Sequence, residues 1–173
     1  MARAAAGRQV SRRLGTLSLM LATTAWGTLL GGIAYSHLVY FPVYLSALPA
    51  SAVVVNGPYG LDESIFWLVI HPLLMVSLVT ALTFNWRVKS RRTLVGISLT
   101  AHVLMLAVTT LYFVPELIAF QQSPNSDLSP SEWLMRARRW ERSSWIRGAI
   151  AYLAFLPLLL ALTRTGEQAP SSD

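Results

Sequence analysis

Three histidines and one arginine lie in or beside the apolar stretches of this chain and are the residues best suited to chemistry. A neutral imidazole can take up a proton near neutral pH or bind a metal ion. A guanidinium group can stabilise an anion. Because ionisable groups in apolar surroundings cost free energy, they are functional candidates. His37, His71 and Arg147 are therefore candidates for a functional site.

The composition indicates an integral membrane protein. Of the 173 residues, 54% are hydrophobic and only 13% are charged, and the mean hydropathy is +0.49. The net charge is +6, but the basic residues form short runs beside apolar stretches, as in proteins whose partner is the lipid bilayer. This pattern argues against a nucleic-acid partner. The absence of cysteine excludes disulfides, thiolate metal sites and dithiol redox chemistry.

Four apolar windows are long enough, or nearly so, to cross a bilayer as helices. They cover approximately residues 15–40, 64–84, 93–114 and 148–163. The last window is short, but Ser129-Pro130-Ser131-Glu132 reads as a capping box that starts a helix ahead of it. From there Trp133, Ala137, Trp140, Ser144 and Arg147 share one helical face. The predicted fold is an all-α, four-transmembrane-helix bundle in which an amphipathic helix leads into the last span.

The distribution of Lys and Arg predicts the orientation. Four arginines precede the first window and four basic residues lie in the loop at 85–92, whereas the loop between the first two windows carries Asp62 and Glu63. We expect a cell-membrane protein with both termini in the cytoplasm. Residues 1–14 form a basic cytoplasmic tail, 15–163 the membrane domain and 164–173 a flexible C-terminal tail.

Counting along each predicted helix places His37, His71, Glu116 and Arg147 in the outer half of one bundle, with His102 near mid-membrane. They could converge on a pocket for a polar or anionic ring. In the structural alternative, each histidine bonds a helix carbonyl and Arg147 forms a salt bridge with Glu116. Since no HxxxH or HExxH spacing occurs, we predict no metal site and name no cofactor.

Two segments carry a family resemblance. Thr110-Leu111-Tyr112-Phe113-Val114-Pro115-Glu116, followed by Trp140-x-x-x-Ser144-x-x-Arg147, resembles the anthrone-oxygenase-like family of small four-helix membrane proteins. Fungal relatives are associated with the oxidation of anthrones to anthraquinones by oxygen, apparently without a cofactor. Ser144 stands where the family commonly has His or Asn.

The resemblance implies that His71 or His37 takes a proton from an acidic phenol or methylene group and that Arg147 stabilises the resulting enolate. We expect Glu116, Tyr112, Trp140 and Ser144 to contact the substrate.

Three functions are compatible with these patterns. The first is an oxidoreductase or oxygenase that acts on a lipophilic aromatic, anthrone- or quinol-like substrate. The second is a non-catalytic accessory or assembly subunit, which would use the Gly27-x-x-x-Gly31 face to bind a membrane-protein partner or a second copy of itself. The third is a haem- or metal-handling protein or a transporter.

Overall fold

The computed structural model describes the backbone of residues 2–164 and the side chains from residue 9 onward. Every regular element in this part of the chain is helical. The predicted tail at 165–173 lies outside the described residues.

Seven α-helices follow one another, and two of them continue through a π-helical turn into the next. Helix α1 (Ala2–Tyr35) passes through the turn Ser36–Tyr40 into α2 (Phe41–Tyr44), and α5 (Lys89–Val108) passes through Thr109–Phe113 into α6 (Val114–Gln121). The others are α3 (Val53–Asn56), α4 (Ser64–Phe84) and α7 (Pro130–Thr163). Short 3₁₀ turns lie at Ala50–Ala52 and Ser123–Asn125.

Four of these helical stretches are long and apolar enough to cross a membrane, which confirms the predicted four-helix fold. The spans are Gln9–Tyr44, Ser64–Phe84, Lys89–Gln121 and Pro130–Thr163. The last is one continuous helix, so the segment before residue 148 lengthens the fourth span as expected. Its capping box is formed, since Ser129 and Glu132 each accept from the other's backbone N–H.

The bundle is a ring in which α1 and α5 each pack against both α4 and α7. Its core holds Trp26, Leu74, Leu78 and Leu158, none of them accessible. The outward faces carry large apolar side chains that are well exposed, such as Leu68 at 73%. Because a soluble protein rarely exposes so continuous an apolar surface, this surface identifies a multi-pass membrane protein.

Gly15 of α1, the α4–α5 turn and Arg164 meet at one end of the bundle, which we call the basic end. Asn85 donates to the Gly15 carbonyl at 2.9 Å, and Arg91 donates from Nε to the Arg164 carbonyl at 2.8 Å. A side chain at Gly15 would press on Asn85, since an added Cβ would lie 2.9 Å from Oδ1. Gly15, the α4–α5 turn and Arg164 thus lie at one end of the bundle. That this end is cytoplasmic stays a prediction.

The glycines of α1 differ in their surroundings. The spacing of Gly27 and Gly31 predicts close helix approach. A Cβ added at either glycine would have no described atom within 4 Å, so neither glycine contacts another helix of this chain. Gly32 is the position of close contact, since a Cβ there would collide with the Phe66 ring of α4. The Gly27–Gly31 face therefore makes no helix contact within the bundle.

Candidate functional site

Three polar side chains, two of them buried, form a relay between the π-helical turn Ser36–Tyr40 and α7. The Nδ1 atom of His37 lies 2.8 Å from the Ile33 carbonyl, which can only accept, so Nδ1 carries the proton. Nε2 must then accept from the Ser144 hydroxyl at 3.0 Å. Ser144 in turn accepts from Nη2 of Arg147 at 3.1 Å. The lone pair of His37 is therefore occupied, and His37 orients Ser144 and Arg147.

Arg147 carries an uncompensated charge inside the bundle. Its Nη1 donates to Thr109 Oγ1 at 2.9 Å, and its guanidinium lies 4.0 Å from the centre of the Phe113 ring. Among the side chains of residues 9–164, no carboxylate lies within ion-pair distance of it. A cation held by hydroxyl groups and a ring face attracts an anionic group of a ligand.

The structure corrects the suggested salt bridge between Arg147 and Glu116. Glu116 instead binds Arg136, six residues past the start of α7, through two hydrogen bonds of 2.7 and 2.8 Å. Glu116 follows the π-helical turn and therefore lies further from the basic end than Arg147 does. It pairs with Arg136, which precedes Arg147 on α7. Glu116 is therefore separate from the relay.

Both π-helical turns contribute to the relay. His37 lies in the turn Ser36–Tyr40, and Thr109 and Phe113 are the first and last residues of the other turn. A π-helical turn adds one residue to a helix and shifts the side chains on either side of it, and such turns are frequent at functional sites. Here they direct the side chains that hold Ser144 and Arg147.

His71 does not join His37 but meets His102 of α5. The two rings lie 5.4 Å apart between centroids. His102 is fully buried, and neither of its ring nitrogens has a hydrogen-bond partner within the described chain; the same holds for Nδ1 of His71. Buried polar atoms are normally paired, and an exception calls for an explanation such as a catalytic role or an absent ligand.

The histidine pair belongs to a row of aromatic rings that reaches the lipid-facing surface. Phe66, which is 36% exposed, contacts Trp67 at 4.8 Å, and Trp67 stacks on His71 at 5.7 Å. On the far side Trp26 lies 5.8 Å from His102. The histidine pair is thus connected to that surface through the Trp67 and Phe66 rings.

Thr109, which accepts a hydrogen bond from Arg147, lies seven residues after His102 on the same helical stretch, about 10 Å along its axis. The relay and the histidine pair are thus neighbours along this helix. Imidazole lone pairs beside an unbalanced cation can remove a proton from a weak acid and hold the anion that forms.

Two residues predicted to bind substrate, Trp140 and Tyr112, belong to the aromatic cluster at the end opposite the basic end. Trp140 is fully buried, donates to the Phe113 carbonyl at 3.2 Å and packs edge-on against Phe41 and Phe120. Tyr112 packs edge-on against Phe113 at 4.9 Å. Both therefore support the turn that holds Arg147.

Glu63 ties the start of α4 to the turn that carries His37. Ser36 Oγ lies 2.8 and 3.0 Å from its two carboxylate oxygens, and Trp67 Nε1 lies 3.4 Å from one of them. Burial raises the pKa of Glu63, and these hydrogen bonds partly offset the rise. The neighbouring Asp62 is exposed, and hydrogen bonds from Ser64 lower its pKa.

In the described residues, no group of three or more His, Cys, Asp or Glu side chains could hold a metal ion. The histidine pair offers two ligands, fewer than the four of an ordinary zinc site.

Comparison of the chain with protein-family models, with curated proteins and with solved structures finds no match. The anthrone-oxygenase-like resemblance therefore stays a prediction from its motifs.

Proposed function

We propose that this membrane protein is an oxidoreductase that transfers oxygen from O₂ to a lipophilic aromatic substrate of the anthrone type. The single observation that carries the proposal is the ring pair His71 and His102, with three buried nitrogens that lack a partner in the described residues, near the uncompensated charge of Arg147. A stable four-helix bundle would gain nothing from these costly groups unless a ligand used them.

In this proposal His71 is the base and Arg147 binds the anion. His71 takes a proton from the acidic methylene group of the substrate, and the negative charge spreads onto the ring oxygen. Arg147 stabilises that oxygen, and its two hydrogen bonds to Thr109 and Ser144 hold it in place beforehand. His37 positions the site, because it fixes the Ser144 hydroxyl.

The oxidation balances with O₂ as the only oxidant. The carbanion adds to O₂ and forms a hydroperoxide after protonation. Loss of water from the hydroperoxide then leaves a ketone. Overall, the methylene group loses two hydrogens and gains one oxygen atom, and the second oxygen atom leaves as water. No reductant is needed, because the substrate supplies all the electrons.

Oxygen uptake with anthrone tests the proposal. The purified protein in detergent should consume one O₂ per anthrone and produce anthraquinone faster than a protein-free solution. General-base catalysis contributes roughly 10²–10⁴-fold, so His71→Gln should lose at least about a hundredfold of the rate above background. Arg147→Gln should lose a similar factor, since its charge holds the anion.

Arg142→Gln is the matched control for Arg147→Gln, because it removes an exposed arginine from the same helix. It should turn over like the wild type. Wild-type protein that is folded but no faster than background would contradict the proposal. So would equal rates in His71→Gln and wild type.

A further inference from the structure

A cleft of about 420 Å³ opens at the end of the bundle opposite the basic end, away from the histidine pair. Its walls come from the end of α6, the following 3₁₀ turn and the first two turns of α7, and include Gln122, Asn125, Trp133 and Arg136. The volume lies within the range typical of small-molecule sites, which is roughly 300–1,000 Å³.

One residue that lines this cleft and one residue beside the lining each carry a buried polar group without a partner in the described residues. Trp133 lines it and is 3% exposed, and its indole Nε1 has no hydrogen-bond acceptor among the residues described. Ser123, next to the lining residue Gln122, is 1% exposed, and its hydroxyl is likewise unpaired there. An indole N–H can only donate. An acceptor oxygen from outside the protein would therefore satisfy the Trp133 indole N–H.

The charges at the cleft are already balanced. Arg136 forms its two short hydrogen bonds with Glu116, and its guanidinium lies 5.1 Å from the centre of the Trp133 ring. The remaining polar lining consists of uncharged groups, among them the Gln122 and Asn125 amides. An anionic ligand would have to compete with Glu116 for Arg136, whereas a neutral ligand need not.

We propose that this cleft binds a small neutral molecule through a carbonyl oxygen that accepts from the Trp133 indole, with the amides of Gln122 and Asn125 bonding its other polar atoms. The site is separate from the histidine pair and does not depend on the oxygen chemistry proposed above. It adds a binding site at the water-facing end of the bundle.

Nitrogen NMR of the indole N–H groups tests this with benzamide, a neutral carbonyl probe, and benzoate, its anionic counterpart. In full-length protein the Trp133 signal, identified by its loss in Trp133→Phe, should shift saturably with benzamide. The signal of Trp145, which is 47% exposed on the lipid face, should not move. Benzoate should bind at least about tenfold more weakly.

Two further variants keep the test decisive. Ala119→Leu adds a side chain to the cleft lining and should abolish the benzamide shift, whereas Ala149→Leu on the exposed face of α7 should leave it intact. Trp133→Phe should weaken binding by roughly tenfold, measured on the protein by calorimetry. A Trp133 signal that moves with neither probe means that the cleft holds only water, and tighter binding of benzoate refutes the neutral ligand; either result overturns the proposal.

Discussion

The three histidines differ in what their ring nitrogens contact, and this difference sets the sign of a substitution's effect on stability. Both ring nitrogens of His37 are hydrogen-bonded, whereas both ring nitrogens of His102 are buried and unpaired within the described chain. A buried unpaired polar group costs about 1–3 kcal/mol, while removal of one partner from a buried hydrogen bond creates such a cost.

We therefore expect His102→Leu and His37→Leu to act in opposite directions. His102→Leu should raise the free energy of unfolding by about 1 kcal/mol, because leucine needs no hydrogen bond. His37→Leu should lower it by about 1–3 kcal/mol, because Ser144 loses its acceptor. Denaturant unfolding of each variant in the same detergent measures both values. Equal destabilisation by the two changes would show that the nitrogens of His102 are paired in the protein.

The partly buried carboxylate of Glu63 should make stability depend on pH. Burial raises its pKa above the ordinary value of 4.5, so the folded state holds the proton more tightly than the unfolded chain. Stability should therefore rise as pH falls from neutral through the raised pKa, and level off below the ordinary value. In Glu63→Gln this contribution should disappear. If the free energies of unfolding of the wild type and of Glu63→Gln change in parallel between pH 7 and pH 4.5, this account is contradicted.

Sequence reasoning located the candidate residues better than their partners. The spacing of Ser144 and Arg147 predicted one helical face, and the two side chains do bond to each other. The sequence did not predict that Glu116 binds Arg136, because this pairing depends on how far the π-helical turn displaces the residues that follow it.

The missed residue His102 left a signal in the sequence. His71 lies 13 residues before Phe84, the last residue of α4, and His102 lies 13 residues after Lys89, the first residue of α5. In an antiparallel helix pair this symmetry sets both rings about 20 Å from the connecting turn. Equal depth alone does not show that the rings face each other, since helix rotation is decided by packing.

At the scale of elements, the π-helical turns connect the helices to the site. Each adds one residue to an otherwise α-helical span, and the exposed Leu111 lies in the second turn. Deletion of Leu111 should restore α-helical spacing and rotate Thr109 away from Arg147, because each residue accounts for about 100° of turn.

The Leu111 deletion should keep the helix content, as measured by circular dichroism, while anthrone turnover falls at least about tenfold. Deletion of one residue from the regular lipid-facing part of α5 is not a neutral control, since it would also rotate the helix. Leu111→Ala serves instead, because it keeps the turn and should retain wild-type turnover. Full activity in the deletion variant would show that the turn does not position Arg147.

Helix positions were predicted well where apolar length and capping decide them. The second span matches the predicted window, and the capping box at Ser129 starts α7 as expected. The first and third spans run further than predicted, to Tyr44 and Gln121. Phe41-Pro42 and Val114-Pro115 lie inside these two spans. Each proline occupies the first turn of the α-helix after a π-helical turn, where its missing N–H is tolerated.

At the scale of the whole molecule, an even number of spans predicts that both tails and the α4–α5 turn lie on the same side of the membrane. The basic residues predict that this side is cytoplasmic. The chain contains no cysteine, so single cysteines report position directly. In intact cells, Ser90→Cys should resist a membrane-impermeant maleimide, whereas Tyr59→Cys, at a position 95% exposed, should react. The reverse labelling pattern would invert the orientation.

The most direct test of the central claim, that the unpartnered histidine pair is where a ligand acts, is nitrogen NMR of the imidazoles in lipid nanodiscs with and without anthrone under anaerobic conditions. His71→Gln and His102→Leu assign the signals. We predict that anthrone shifts the His71 and His102 signals while those of His37, whose nitrogens are already bonded, stay in place. Unchanged His71 and His102 signals at saturating anthrone would contradict the claim.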